Sequence, residues 1–409
     1  MSEGSARPVF VLNIRAIGLG VSRGLSMKGV PVVAIEYLEG SERMISKSFT
    51  AFHKIPDIEK TPDAALEALI KCQGGYGEKG ILLPTSDAFI LFVSRNRQEL
   101  AKHFDFNLPS EQVLELIMDK KSQYTRAAEL GVPIPETFYP RSMEDLDEFK
   151  DDIDYPFLIK PLVSHLWQQA FPNKGFQVFS AEELKSKFQL VLNAGIEVMV
   201  QKVIPGPNTN LKGMRAYIDR EGEAHGVSEV VKIRQYPVDF GIGCHVQTIH
   251  NDEVGEQGLR FMKGIGYRGI GAVEFKQDQR DGIFKLMELN SRVCRNVGLS
   301  IKAGINLPWL MYQDITGMPI DEVDGYDDGV RWHDFIMDCR AYQTLRRRRE
   351  ITFKEWTRSS IGSDCHPFFA WNDLRPAAVQ TRYGFDIAME IFYLAVFSAG
   401  QLLRDRKTG

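Results

Sequence analysis

The first 110 residues alternate short apolar runs with helix-like stretches, and this alternation is the feature that most constrains the fold. Val9 to Leu12 is an apolar run, and a helical stretch separates it from a second β-rich run at Pro31 to Ile35. A third run, Gly80 to Leu83, again leads into a helical stretch. Strands that alternate with helices are typical of a parallel sheet with crossover helices. The sequence therefore predicts an N-terminal α/β domain over residues 1–108.

After Pro109 the pattern changes to a mixed α+β arrangement. Two helix-like stretches precede the stop at Gly131, and a mainly helical extension is predicted after Gly317. Strands are predicted at Pro156–Pro161, Phe176–Phe179, Ile196–Gln201, Met214–Ile218, Ala224–Ile233, Gly271–Lys276 and Ile283–Leu289. The expected further domains are residues 109–195, 196–320 and 321–409.

Composition narrows the class of protein. Lys plus Arg total 50 and Asp plus Glu total 54, a net charge of −4, so we expect no nucleic-acid partner recruited by a global positive field. The five cysteines contain no C-x-x-C pair, which suits a reducing compartment better than a disulfide framework or a zinc site. The start, MSEGSARPVF, lacks the apolar segment of a secretion signal. We therefore expect a cytoplasmic protein.

The glycines after the first strand suggest one alternative. Gly18 and Gly20 form a G-x-G pair, and the acidic Glu36 ends the second β-rich run, as in dinucleotide-binding folds. The third glycine of that fingerprint is out of place by one position. A nicotinamide-dependent oxidoreductase therefore remains an alternative function.

The strongest group of candidate functional residues lies on the last two predicted strands. Glu288, Asn290 and Arg292 are two residues apart and share one face, and a hairpin would bring Glu274 on the partner strand beside them. Two carboxylates and an amide oxygen are ligands that suit Mg²⁺, and the arginine could hold a phosphoryl oxygen. The alternative is a solvated hairpin with alternating polar residues.

Two lysines are candidates for phosphate binding. Lys160 is the single cation in the apolar run Leu158-Ile159-Lys160-Pro161, and a buried lysine needs an anion. Lys120 follows Asp119 at a helix boundary, where a solvated lysine at a helix end is the competing interpretation.

Taken in order, these segments resemble the ATP-grasp enzymes. Within that superfamily the chain is most similar to carboxylate–amine ligases related to D-aspartate ligase and to the carbamoyl phosphate synthase large chain. The resemblance covers about residues 9 to 317. It is carried by D-K-K at Asp119–Lys121, G-V-P-I-P at Gly131–Pro135, Y-P-F-L-I-K-P at Tyr155–Pro161, V-Q-K-V-I-P-G at Val200–Gly206, and E-F-K with M-E-L-N-S-R between Glu274 and Arg292.

The resemblance implies a pre-ATP-grasp domain, a core of two ATP-grasp subdomains at residues 109–195 and 196–320, and ATP bound between those subdomains. It places Lys120 and Lys160 on the phosphates and makes Arg292 the residue that steadies the transferred phosphoryl group. It further implies that Mg²⁺, with Mn²⁺ as an alternative, is held by Glu274, Glu288 and Asn290. The adenine-binding hinge would then comprise Gln201, Lys202 and Val203.

Three positions depart from the family pattern. Lys202 stands where the hinge usually carries an acid, and Asn208 replaces the acid that commonly binds ribose, although an amide can still bond hydroxyls. The loop from residue 164 to 174 lacks the usual glycine-rich phosphate lid and offers His165 and Lys174 instead. These departures leave a non-catalytic nucleotide-binding module as a second alternative.

The expected reaction joins a small-molecule carboxylate to an amine through an acyl phosphate, since phosphorylation turns an unreactive carboxylate into an electrophile. An amino acid or another small metabolite is the expected substrate. For the acceptor pocket we select Arg234, because a guanidinium fits a carboxylate. A surface arginine on a strand is the competing interpretation of Arg234.

Two further segments are predicted to cover other parts of the protein. The connection at residues 164–175, beside Lys160, is expected to cover the site, with Trp167 among the groups that seal its mouth. The apolar helix predicted at residues 387–403 is expected to dock on the protein itself in preference to a membrane. A homodimer is compatible with the sequence.

Overall fold

The computed structural model describes residues 6–38, 46–162, 167, 170, 171, 173 and 175–380. Three sheets organise this part of the chain, each with its own helices. The predicted fold class, mixed α/β and α+β, is confirmed. Residues His165 and Lys174 and the helix predicted at residues 387–403 lie outside the described residues.

The N-terminal sheet is parallel and has the strand order β3-β2-β1-β4-β5. Strands β1, β2 and β4 are buried along their whole length, as expected for a parallel sheet covered on both faces. The strands are β1 Val9–Leu12, β2 Val32–Glu36, β3 Ala51–Lys54, β4 Gly80–Pro84 and β5 Phe104–Asp105. The helices are α1 Ala16–Ser26, α2 Pro62–Gly74, α3 Asp87–Arg95 and α4 Arg97–His103.

A second sheet of four antiparallel strands follows, with the order β6-β9-β7-β8. Its strands are β6 Thr137–Phe138, β7 Phe157–Pro161, β8 Phe176–Val178 and β9 Val198–Lys202. The preceding and accompanying helices are α5 Glu111–Met118, α6 Lys120–Glu129, α7 Met143–Asp147 and α8 Ala181–Asn193. Helix α6 begins at Lys120 because the carboxylate of Asp119 caps it, accepting the backbone N–H of Ser122 at 2.7 Å.

The third sheet has six antiparallel strands in the order β14-β13-β10-β11-β12-β15. Its strands are β10 Leu211–Ile218, β11 Ala224–Tyr236, β12 Ile242–Ile249, β13 Gly269–Gln277, β14 Phe284–Asn290 and β15 Arg331–His333. Its helices are α9 Asp252–Gly264, α10 Val297–Lys302 and α11 Leu307–Thr316. Strand β12 was not predicted, because Gly243 and His245 interrupt its apolar alternation.

The C-terminal extension contains the expected helices, α12 Phe335–Arg347 and α13 Phe353–Ser360, together with one strand that was not predicted. Strand β15 pairs with β12 and thereby joins the extension to the six-stranded sheet. Three residues are too few to show an alternation pattern, so only tertiary pairing reveals this strand. Within the described ranges, no helix is long and apolar enough to cross a membrane.

The glycines of α1 serve packing. A Cβ added at Gly20 would approach the Cγ1 of Val297 on α10 to 2.4 Å, so the two helices touch only because this side chain is absent. Glu36 accepts the backbone N–H groups of Ile14 and Tyr37. These contacts give Gly20 and Glu36 structural roles in the N-terminal part of the chain.

We expect Gly20→Ala to lower the free energy of unfolding by about 1–3 kcal/mol, because an overpacked helix contact forces backbone shifts. Gly298→Ala on the partner helix is the matched control, since its added Cβ would meet nothing within 4 Å and alanine favours a helix. Denaturant unfolding of both variants measures the difference. Equal stabilities of the two variants would contradict a close α1–α10 contact.

Candidate active site

Two cavities meet over the six-stranded sheet. The inter-sheet cavity, about 400 Å³, lies between β7 and β9 on one side and β11, β13 and β14 on the other. The sheet-face cavity, about 210 Å³, lies over β10 to β14 and the start of α10. Both cavities are lined by Lys232, Gly241, Glu274 and Glu288. These four residues therefore form the boundary at which groups bound in the two cavities would meet.

Strand register explains why the two carboxylates converge. Glu274 on β13 lies directly opposite Glu288 on β14, and Gly213 on β10 lies opposite Glu274 on its other side. Alternation along the strands then places Asn290 and Ala272 on the same face as this pair. The absent side chain of Gly213 leaves the carboxylates open to the sheet-face cavity.

Positive charges surround the carboxylate pair. The Nζ of Lys232 lies 2.7 Å from the Oε2 of Glu274. Removal from bulk water raises the pKa of Glu288, but the charges of Lys232, Lys120 and Lys160 outweigh this effect and hold the pKa below its usual value. Glu288 is therefore ionised at neutral pH, as a metal ligand must be.

Lys160 projects from β7 into the inter-sheet cavity, where its Nζ donates to the Oε1 of Gln201 at 3.0 Å. Desolvation lowers the pKa of Lys160, and the nearby charge of Lys120 lowers it further, to about 8, although Glu288 opposes the change. Lys120 is the first residue of α6, so the cap at Asp119 fixes its position next to this charge cluster. The structure thus brings both predicted phosphate-binding lysines together with Glu288.

The predicted hinge residues Gln201, Lys202 and Val203 line the inter-sheet cavity, and so does Asn208, the predicted ribose contact. The Lys202 ammonium forms an ion pair with Asp154 at 2.9 Å and lies over the ring of Phe157. Its charge is therefore neutralised within the protein. The backbone N–H groups of Lys202 and Val203 donate to the carbonyl oxygens of Glu136 and Pro156, and the Oδ1 of Asn208 accepts from the Nε2 of Gln235.

Arg292 links the boundary to the N-terminal domain. Its Nε donates to the Oδ1 of Asp87 at 2.9 Å, and Asp87 is the first residue of α3. Desolvation lowers the pKa of Arg292, but the Asp87 carboxylate outweighs it and raises the pKa above its ordinary value. Arg292 lines the sheet-face cavity, so it stays charged beside the two carboxylates.

Arg234 occupies a different environment from the one predicted. The register of β11 against β12 shifts between Lys232 and Arg234, which turns Arg234 towards the C-terminal extension. There its Nε and Nη2 donate to Asp338 at 2.6 and 2.9 Å. Because this guanidinium is buried and paired, it does not line either cavity, and the prediction that it binds the acceptor carboxylate is wrong.

Trp167 also differs from its predicted role. Its side chain is 1% exposed and packs against Phe171 and Phe176, with ring centroids 4.6 and 5.2 Å apart, and its Nε1 donates to the carbonyl of Asn173. Trp167 is a core residue of the four-stranded sheet domain and is not part of a cover over the cavity mouth.

The sequence pattern did not identify Lys232, Asp87 or Arg215 as candidate site residues. Arg215 lines the sheet-face cavity. Lys232 carries the same signal as Lys160, since it is a single cation inside the apolar run Val230-Val231-Lys232-Ile233. Asp87 could be found only from the structure, because its partner Arg292 is 205 residues away.

The oxygen ligands of Glu274, Glu288 and Asn290 suit a hard cation that takes its remaining ligands from a bound substrate. Among the described residues, no group of three or more His, Cys, Asp or Glu side chains could hold a metal ion. Glu274 and Glu288 would therefore need the Asn290 amide oxygen and oxygens from a bound ligand. Mg²⁺ binds in this way, with one or two carboxylates and substrate phosphates.

Comparison with known proteins adds the family context. Residues 245–322 match the family described as carbamoyl-phosphate synthase L chain, ATP binding domain. A biotin carboxylase from Campylobacter jejuni, solved as a complex with ATP, superposes with a TM-score of 0.64 at 17% identity, covering 80% of this chain and 74% of that one. The resemblance to the ATP-grasp enzymes is confirmed.

Two ligases share the ATP-grasp likeness. The D-aspartate ligase of Enterococcus faecium is 26% identical over 273 residues, which cover 64% of this chain. The match spans 65% of that relative's length, just under two thirds. An L-amino acid ligase from Bacillus licheniformis superposes with a TM-score of 0.57 at 14% identity, covering 76% of this chain and 75% of that one.

We expect Asp338→Ala to lower the free energy of unfolding by about 3–5 kcal/mol, because it leaves the Arg234 guanidinium buried without its partner. Glu223→Ala is the control, since it removes an exposed carboxylate paired with Lys263 and should change stability little. Denaturant unfolding measures both variants. A similar small loss in each would show that the Arg234–Asp338 pair does not stabilise the fold.

Proposed function

We propose that this chain is an ATP-dependent ligase that converts a carboxylate to an acyl phosphate and joins it to an amine, releasing ADP and phosphate. The observation that carries the proposal is the shared boundary between two cavities. A nucleotide in the inter-sheet cavity would point its terminal phosphate at Glu274, Glu288 and Lys232, and a carboxylate substrate would reach the same point from the sheet-face cavity.

The nucleotide-binding roles rest on charge and position. Lys120 and Lys160 would contact the phosphates, since both cations lie near Glu288 and Lys160 lines the inter-sheet cavity. Gln201, Val203 and Asn208 would line the base and ribose, with Lys202 contributing through its backbone because its ammonium is paired with Asp154. Lys174 remains a proposed phosphate contact on the basis of the sequence resemblance alone.

Glu274, Glu288 and Asn290 would hold Mg²⁺, with Mn²⁺ as an alternative. When bound, the metal would offset negative charge where a carboxylate and the terminal phosphate approach each other. Arg292 would act from the opposite cavity as a fixed positive group, because Asp87 restrains its side chain.

The reaction balances in two steps. A carboxylate oxygen attacks the γ-phosphorus of ATP, and the bond from that phosphorus to ADP breaks. The amine nitrogen then attacks the carbonyl carbon of the acyl phosphate, the bond from carbon to the phosphate oxygen breaks, and the nitrogen loses a proton. Lys160, Lys232 and Arg292 would stabilise the charge on the phosphoryl oxygens throughout.

The similarity to two amino acid ligases supports a small carboxylate and a small amine as substrates, with an amino acid as one of them. The division into domains at residues 1–108, 109–195, 196–320 and 321–409, the cytoplasmic location and a homodimer belong to the same proposal. The three sheets and the C-terminal extension support the division into domains.

A non-catalytic nucleotide-binding module is the second candidate. It is favoured by the ion pair between Lys232 and Glu274 and by the engaged N–H groups of Lys202 and Val203. Such a module would bind ATP without releasing ADP when carboxylic acids and amines are supplied.

We expect the protein to release ADP from MgATP when it is supplied with pooled carboxylic and amino acids. Glu288→Ala and Asn290→Ala should each abolish this release, because each removes a metal ligand that no neighbour replaces. Asp281→Ala, in the turn of the same hairpin, is the matched control and should keep wild-type rates. Circular dichroism verifies that all three variants are folded.

Wild-type rates in Glu288→Ala or Asn290→Ala at saturating Mg²⁺ would overturn the metal assignment. ATP binding without ADP release from any pool would favour the binding module. Binding of a nicotinamide cofactor in place of ATP would favour the oxidoreductase that the N-terminal glycines suggested.

A second expectation concerns pH. Because the pKa of Lys160 is about 8 before ligand binds, its ammonium is present below that pH and is lost above it, so the affinity for ATP should fall as the pH rises through about 8. Below that pH, Lys160→Met should weaken ATP binding by roughly 1.5–3 kcal/mol, the contribution of a charge-assisted contact. Lys263→Met, an exposed lysine on α9, is the control. Calorimetric titration at several pH values tests this; equal affinities would place Lys160 away from phosphate.

A further inference from the structure

Arg215 is a buried cation on the face of β10 that carries the proposed active site. It lies opposite Ala272 on β13, and Ala272 lies opposite Asn290 on β14. The residue is 5% exposed, and it lines the sheet-face cavity. A position two residues along a strand is displaced by about 7 Å, so Arg215 lies one repeat beyond the level of the Glu274–Glu288 pair.

The other arginines of the sheet-face cavity have carboxylate partners. Arg292 pairs with Asp87 at 2.9 Å, and Arg295 pairs with Asp334 at 2.6 Å. In the described part of the chain, Arg215 has no ion pair within 4 Å. A buried guanidinium without a counter-ion is costly, because charge is removed from water without compensation.

The two terminal nitrogens of the Arg215 guanidinium differ in their hydrogen bonding. Its Nη2 donates to the Oδ1 of Asn296 at 2.7 Å, a neutral partner that orients the group. Its Nη1 is buried and has no hydrogen-bond partner among the residues that the structure describes. Unsatisfied buried donors are rare in native proteins and call for a partner.

The cavity beside Arg215 has space for that partner. Gly213 and Ala272, the small residues on its floor, place no long side chain between Arg215 and the carboxylate pair. Of the other cations that line this cavity, Arg292, Arg295 and Lys232 have carboxylate partners, and the ammonium of Lys212 lies over the ring of Phe284. The charge of Arg215 therefore favours an anionic ligand beside it.

We propose that Arg215, oriented by Asn296, binds a carboxylate of the substrate that does not itself react. The reacting carboxylate lies at the Glu274–Glu288 boundary, so the substrate carries a second carboxylate about one strand repeat away. The assignment of which carboxylate reacts rests on the proposed ligase function, whereas the carboxylate site at Arg215 does not. The second carboxylate belongs either to the acid that is activated or to the amine that is joined to it.

Calorimetric titration in the presence of MgADP tests the site directly and without turnover. The first set of probes compares aspartate, in both enantiomers, with its two monoamides, asparagine and isoasparagine. The second set compares alanine with alaninamide. A loss of affinity on amidation of aspartate assigns the second carboxylate to the acid, and a loss confined to alaninamide assigns it to the amine. We expect wild-type protein to prefer the carboxylate form by about 10- to 100-fold in one set.

Two variants test whether Arg215 causes this preference. Arg215→Met keeps the bulk of the side chain and should remove most of the preference for carboxylate over amide. Arg126→Met, which removes a partly exposed guanidinium on α6 outside both cavities, should retain this preference. Thermal unfolding of each variant verifies that it is folded.

Asn296→Asp is a second variant that tests the same site if Arg215→Met fails to fold. Asn296 is the N-cap of α10, a position where aspartate is well tolerated, so stability should be kept. The new carboxylate would pair with Arg215 and compete with the substrate. Carboxylate affinity should therefore fall about as far as in Arg215→Met.

The outcomes separate this proposal from the proposed ligase function. If ADP release occurs but Arg215→Met or Asn296→Asp keeps the wild-type preference, the Arg215 site is wrong and the ligase proposal stands. If carboxylate binding depends on Arg215 but no acid supports ADP release, the site stands and the ligase proposal fails. A wild-type protein that does not distinguish carboxylate from amide in either set overturns the Arg215 proposal.

Discussion

The balance of charge around Glu274 and Glu288 is the interaction on which the rest of the site depends. Two carboxylates opposite each other on neighbouring strands repel. Desolvation raises the pKa of Glu288, but the charges of Lys232, Lys120 and Lys160 outweigh it and hold that pKa below its usual value. Desolvation lowers the pKa of Lys160, and the nearby charge of Lys120 lowers it further, although Glu288 opposes the change. A bound nucleotide and metal would add charges to this network and would therefore shift the pKa values of Glu288 and Lys160.

Three separate parts of the chain build this network. The six-stranded sheet supplies the carboxylates and Lys232, the four-stranded sheet supplies Lys160, and the capped start of α6 supplies Lys120. The N-terminal domain contributes Asp87, which restrains Arg292 at the edge of the sheet-face cavity. Because the two cavities meet only where these parts meet, the relative placement of the sheets decides whether the site is complete.

Among the described residues, the C-terminal extension contacts the strands that carry the site but not the inter-sheet cavity itself. Asp338 accepts hydrogen bonds from Arg234, His333 and Trp356, and it is fully buried. Arg234 follows Lys232 by two residues on β11, so this polar cluster fixes the strand that carries a boundary lysine. Strand β15 strengthens the connection by pairing with β12. The extension thus supports the geometry of the sheet without contributing a lining residue to the inter-sheet cavity, within the residues described there.

Local sequence determined much of the fold and part of the candidate site. Hydrophobic alternation located most strands, and the spacing of Glu288 and Asn290 placed both on one strand face, because side-chain direction repeats every two residues. Lys160 was recognisable as a lone cation in an apolar run. Only the tertiary structure decided the roles of Arg234, Asp87 and Arg215. A register shift turned Arg234 away, and Asp87 meets Arg292 across 205 residues. Arg215 matters because no carboxylate among the described residues pairs with it. Strand register and long-range electrostatic pairing depend on how separate segments pack. A local sequence pattern reports only on residues close together in the chain, so it does not predict that packing.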